Sequence, residues 1–205
     1  MSQFLTLQLC PLYERTIRVS PVRVKSQSSR EYRGERLQSL TVPQARFVDA
    51  IAGRILPTTD TPGAVEAGAV FYIDRALAGA YSHLRSRYAR GLRALNQYAK
   101  GRFGIAFEKL SGEQQDAVLS DLESGKIAEL RHGEEFFELL RTHVLEGVFG
   151  EPNYGGNRDM IGWKLVGFPG QQWGYPETYI NKVVDLPPLT WEGLPKKATD
   201  ERNDC

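Results

Sequence analysis

Cysteine is nearly absent: Cys10 and Cys205 are the two in 205 residues, and they lie near opposite ends. Two are too few for a disulfide scaffold. A dominant charge sign is missing too. Lys+Arg total 26 against 25 for Asp+Glu, a formal net charge of +1, so no footprint for nucleic acid is visible. No apolar run approaches the roughly 20 residues that a membrane-spanning helix needs. The first residues, MSQFLTLQLCPLYER, have no basic residue ahead of their apolar stretch, and no Arg-Arg pair precedes residue 40. Neither a general secretory nor a twin-arginine signal has that order. The expected location is therefore cytoplasmic, with periplasmic location by co-export with a partner as the alternative.

Self-sufficient catalytic machinery is also hard to find. There is no G-x-S-x-G, no Walker A motif and no cysteine with a placed histidine. Gly155-Gly156 lacks the third glycine, the preceding strand and the downstream acid of a dinucleotide fingerprint. The three histidines are His83, His132 and His143. His132-Gly-Glu-Glu135 and His143-Val-Leu-Glu146 both have the spacing of a chelating pair on a helix face. At 1.5 Å per residue the two pairs lie about 16 Å apart, too far for one site.

What is present reads as all-α. At about 100–200 residues per domain, the length fits one domain with appended arms. Residues 1–40 form an extended N-terminal arm, with seven basic residues against three acidic. Thr16–Ser20 and Val22–Lys25 alternate apolar and charged residues like a half-buried strand, and Pro21 restricts them to an edge. The arm is either a solvated tail or a strip laid along a partner.

The irregular helical domain covers 41–170. Thr41-Val-Pro-Gln44 fits a capping box, and Val48, Ile51, Ala52 and Ile55 follow at helical spacing. A second helix is expected from Val65 to Leu77, with Gly79 as its stop. A third runs from Tyr81 to Lys100. Its apolar stripe holds Leu84, Tyr88, Leu92, Leu95 and Tyr98, and Arg85, Arg87, Arg90 and Arg93 form a solvated face. Ser111-Gly-Glu-Gln114 opens a fourth helix that ends near Glu123. The fifth, Glu134 to Phe149, is apolar nearly all round, which makes it central or partner-facing. Gly147 inside it marks a close backbone approach.

After Pro152 the texture changes. Asn153–Asp159 is loop chemistry, and Asn157 is placed to cap a short helix from Arg158 to Val166. This loop has two readings. Gly155, Gly156, Asn157 and Arg158 make an anion site at a helix N-terminus, or Arg158 pairs with Glu146 or Glu151 and fixes the loop. Residues 171–205 form an aromatic- and proline-rich C-terminal arm.

Phe136–Phe149, Pro152–Asp159 and Ile161–Pro169 resemble the signature of the gluconate 2-dehydrogenase subunit 3 family. Ala52–Pro57, Thr61–Gly68 and Ile73–Leu77 follow the order of that family's first half. The resemblance implies a non-catalytic small subunit with no cofactor of its own. Its partner is a large flavoprotein of the glucose–methanol–choline type, which binds FAD and oxidises a sugar or sugar acid. A cytochrome c subunit accepts the electrons in several family complexes. The small subunit is needed for the large one to mature, and it often carries a twin-arginine signal, from which this chain departs.

Interfaces favour Trp, Tyr, Phe and Arg anchors. On that basis the large-subunit contact is assigned to Glu146, Gly147, Tyr154, Gly155, Gly156, Asn157, Arg158, Asp159, Trp163, Phe168, Pro169, Trp173 and Tyr175. The same rings would otherwise cover this chain's own core. Two rival functions stay open: a stand-alone helical enzyme that uses the Arg158 loop as an anion site, and a free-standing chaperone that releases its client.

Overall fold

The computed structural model describes residues 31–172, 174, 177–179, 182 and 186–193. Cys10, Cys205, Trp173, Tyr175 and the alternating run at 16–25 lie outside the described residues. Among the described residues the fold is all-α apart from one small hairpin and a single bridge between Gly170 and Leu189.

Both capping boxes form. Thr41 accepts from the Gln44 amide and opens α1, Val42–Ile55, and Ser111 does the same with Gln114 for α4, Gly112–Glu123. Each box satisfies amides that the first helical turn leaves without partners. Val48, Ile51 and Ala52 of α1 are fully buried, as are Val118 and Leu122 of α4. Arg54 grips Asp116 with two bonds of 2.6 Å and ties the two helices together.

α2 spans Ala69–Ala78 and starts four residues later than its apolar spacing suggests. Gly68 stands at φ +70°, and the residues before it wind as turns. The side chain of Arg158 occupies the space a Cβ at Gly68 would need. α3, Arg85–Phe103, also starts late, after a 3-10 turn at Ser82–Leu84. Its arginines do not form a single solvated face. Arg85 donates to the Leu77 and Ala78 carbonyls at 2.6 and 2.8 Å, satisfying the end of α2, and Arg87 pairs with Glu135 at 3.0 Å.

α5, Gly133–Phe149, is the central helix, packed chiefly on α2 and then on α4. Phe136, Leu140, Val144 and Val148 point into the core. At Gly147 the backbone of Ala69 comes so close that an added Cβ would sit 2.9 Å from its Cα. The close approach read from the sequence is real.

Residues 31–40, read from charge pattern as part of the arm, pack onto the helices. β1, Glu31–Tyr32, pairs antiparallel with β2, Glu35–Arg36. Arg33 and Gly34 between them both have positive φ, as a two-residue hairpin turn requires. Leu37 and Leu40 then enter the core. The Asp74 carboxylate of α2 accepts the amides of Gln38, Ser39 and Leu40 at 2.6, 2.9 and 2.7 Å. The Tyr32 hydroxyl donates to Asp49 at 2.8 Å, and burial with that bond pushes the phenol up to about 12. Charge pattern hid this segment because its anchors are two leucines and its own amides.

Candidate functional site

Two side chains, Asn157 and Trp163, hold the C-terminal end of α5. Asn157 is completely buried. Its amide donates to Gly147 O at 2.7 Å, its Nδ2 donates to Gly150 O at 2.8 Å, and its Oδ1 accepts from Gly162 N at 2.8 Å. It thus joins the last carbonyls of α5 to the first amides of α6, Ile161–Val166. The short helix expected from Arg158 is broken. Asn157, Asp159 and Met160 all stand at positive φ, and a 3-10 turn at Arg158–Met160 precedes α6. Neighbouring Gly156 has no room for a side chain, because a Cβ there would lie 2.0 Å from Gly147 O.

Arg158 pairs with neither Glu146 nor Glu151. Its guanidinium meets Glu35 of the hairpin and lies 4.1 Å over the Phe71 ring, and its amide donates to Ala67 O at 3.0 Å. Arg75 joins the same carboxylate at 3.5 Å. Burial, then the charge of Arg33, pushes the Arg158 guanidinium below its ordinary value. Glu35 comes from the segment read as an arm, so the spacing around Arg158 gave no pointer to it.

Glu146 instead accepts from two tyrosines, Tyr72 at 2.8 Å and Tyr81 at 3.3 Å. Burial and the bond to Glu146 raise the Tyr72 phenol. Behind them the His143 ring lies parallel to Tyr81 at 4.6 Å, and its Nδ1 bonds the Tyr88 hydroxyl at 2.8 Å. His143 is buried, which pushes its imidazole below the ordinary value against the opposing pull of Glu146. His132 meets Glu135 at 3.1 Å. Both His-x-x-Glu patterns are therefore taken up in contacts within the domain. The Glu151 carboxylate oxygens are buried, and that burial raises the carboxyl against the opposing pull of the Trp191 backbone.

In front of the two tyrosines opens a cleft of about 470 Å³. Tyr72, Arg75, Ala76, Ala80, Tyr81, Asn153 and Tyr154 line it. The α2 contribution was readable, since Tyr72, Arg75 and Ala76 sit at i, i+3 and i+4 opposite the buried Val70, Ile73 and Leu77.

The residues assigned to a partner contact divide by exposure. Gly147, Gly156, Asn157 and Trp163 are buried in the domain itself, so they support the surface from behind. Trp163 is 3% exposed, and its indole donates to Phe149 O at 2.8 Å. Glu146, Gly155, Arg158 and Pro169 are half-buried. Tyr154, Asp159 and Phe168 are exposed, Tyr154 at 64%. Phe168 stands edge-on to Trp163 at 5.2 Å. Leu165 and Val166 of α6 are exposed as well. Pro169 and Gln171 exchange backbone bonds with Leu189, which folds part of the C-terminal arm back beside this surface.

A family model described as gluconate 2-dehydrogenase subunit 3 matches residues 43–170, more than half of the chain. The chain belongs to the gluconate 2-dehydrogenase subunit 3 family. The signature read between Phe136 and Pro169 is thereby borne out. Membership is consistent with a small subunit of a dehydrogenase complex. The span that matches gluconate 2-dehydrogenase subunit 3 takes in the cleft and the Asn157 loop but not the hairpin that supplies Glu35. No curated protein and no solved structure matches the chain. Among the described residues, no helix is long and apolar enough to cross a membrane.

Proposed function

We propose that this chain is the non-catalytic small subunit of an FAD-dependent sugar or sugar-acid dehydrogenase. It assembles with, and is required to mature, a large flavoprotein of the glucose–methanol–choline type. The observation that carries this reading is the surface at Tyr154, Leu165, Val166 and Phe168, where exposed apolar side chains stand on a loop and on α6, which Asn157 ties together. Exposed apolar side chains on a rigid support suit docking, because little entropy is lost when they are covered. The Tyr72–Tyr154 cleft extends that surface with three tyrosines and an arginine, residue types that anchor interfaces. The complex works in the cytoplasm, or is exported on a signal carried by the large subunit, and a cytochrome c subunit is a further partner.

Co-expression with a candidate large subunit tests the reading. The expected result is a stoichiometric complex with FAD in the large subunit, and little flavin loading when the small chain is omitted. Purified alone, the chain is expected to show no flavin absorbance and no dye reduction with sugars. A large subunit that loads FAD equally well without the chain, and never co-purifies with it, would reject the proposal. Binding followed by release once FAD is loaded would favour the free-standing chaperone.

A further inference from the structure

The other end of α5 carries a second concavity, of about 290 Å³, between α3 and the first turn of α5. Its floor is apolar, made by Gly91, Leu130 and the Phe136 ring. Arg87, Arg90 and Arg131 surround it, and the carboxylate facing it is that of Glu135. Glu135 is already shared between Arg87 at 3.0 Å and His132 at 3.1 Å. The side chains of Arg90 and Arg131 make no ion pair and no hydrogen bond among the described residues. Three guanidinium groups against one carboxylate leave the pocket with excess positive charge.

The other arginines of α3 show that this is not a general property of the helix. Arg85 is committed to the end of α2, and Arg93 lines a different hollow, beside Glu108. Arg90 is the member of that run left with both a cavity in front of it and a second unpaired arginine across from it. A guanidinium presents several N–H donors in a plane, which matches the oxygens of a carboxylate or phosphate two at a time.

We propose that this pocket binds an oxyanion, a phosphate or carboxylate group, through Arg90 and Arg131. Glu135 holds Arg87 to one side and sets an opposing charge at the pocket's edge. The site is separate from the Tyr72–Tyr154 cleft, since the 17-residue α5 puts its two ends about 25 Å apart.

Isothermal titration of the full chain with inorganic phosphate, citrate and a hexaglutamate peptide tests the assignment. At least one probe should bind saturably. Binding should weaken by about tenfold or more in Arg90→Gln/Arg131→Gln, the scale of losing charge-assisted hydrogen bonds. Arg93→Gln should leave it unchanged, and Glu135→Gln should tighten it by removing the opposing charge. Both pocket arginines are exposed, so the double variant should melt with the wild type, which separates lost binding from lost fold. Binding of phosphate or citrate identifies a small soluble anion as the source. Binding of hexaglutamate alone identifies an acidic protein side chain. No saturable binding of any probe, or binding indifferent to the double substitution, overturns the proposal.

Discussion

The two ends of α5 are built by opposite means. At the C-terminal end, Asn157 fills three hydrogen-bond positions from a fully buried site, and Gly156 lies against Gly147 with no space between them. At the N-terminal end, His132 provides no side-chain cap, and the polar contacts are ion pairs of exposed groups. Buried polar contacts are costly to break because the abandoned partners cannot turn to water. Exposed ion pairs exchange readily for water and are worth little. The first end therefore fixes geometry, as a docking loop needs. The second keeps its charges available, as an anion pocket needs.

The sharpest way to break this contrast is Asn157→Ala. It strands Gly150 O and Gly162 N in a buried site and leaves a small void. At about 1–3 kcal/mol per unmet buried group, the loss should be about 3 kcal/mol. Denaturant unfolding measures it. A loss below about 1 kcal/mol would mean that the loop is held by something other than this side chain. Co-purification with the large subunit should fail in parallel.

Arg158→Ala comes next. Arg158 pairs with Glu35 and covers Phe71, but both members of the ion pair keep about a third of their surface in water. Solvent screening discounts the pair, so the expected loss is about 1–2 kcal/mol, including the ring contact. Its effect should be seen in the hairpin: amides of residues 31–40 should exchange with solvent faster in the variant. Unchanged exchange there would show that Asp74 holds the segment without help.

How far these features could be read beforehand follows from the range of the interactions. The capping boxes at Thr41 and Ser111 are local, four residues each, and both were legible. The apolar circumference of α5 announced a central helix, and Gly147 announced the approach of α2. The loop was recognised by its residues but not by its wiring. Asn157 works through partners five to ten residues away across a turn, and Arg158 through Glu35, 123 residues away. A charge pattern gives no hint of such a pairing when the partner lies in a segment rich in charges of both signs. The starts of α2 and α3 were misplaced for a similar reason. Apolar spacing continues through Gly68 and through Ser82–Leu84, and backbone conformation rather than side-chain pattern sets the boundary there.

His143 gives the contrast a pH dimension. Its folded pKa is lowered, first by burial, with Glu146 opposing. The folded chain then binds fewer protons than the unfolded one in the window below the ordinary histidine value of about 6.5. Stability should be complete above that pH and fall as the pH drops through the window toward the folded value. The groups around the ring are Tyr81 stacked on it, Tyr88 bonded to Nδ1, and Glu146 one turn away. Melting curves between pH 7.5 and 5.5 should therefore show a steeper loss for wild type than for His143→Gln. Parallel curves would mean that the imidazole takes up its proton alike in the folded and unfolded chains.

The smallest effect is expected at the loose end. Arg87→Gln removes an ion pair whose members are 36% and 61% exposed. Such pairs contribute about 0–1 kcal/mol, and the glutamine can still cover the underlying surface. The predicted change in unfolding free energy is therefore at most about 0.5 kcal/mol. The informative readout is electrostatic. With Arg87 gone, Glu135 keeps only His132 as a partner and its charge is less compensated, so anion binding at Arg90 and Arg131 should weaken although Arg87 makes no required contact. Raising the salt should shrink that difference, because charges at this exposure are screened over about 10 Å at 0.1 M. A loss of stability approaching that of Asn157→Ala would show that the two ends of α5 are built alike after all. A weakening of anion binding that persisted unchanged in 1 M salt would show that Arg87 touches the anion directly.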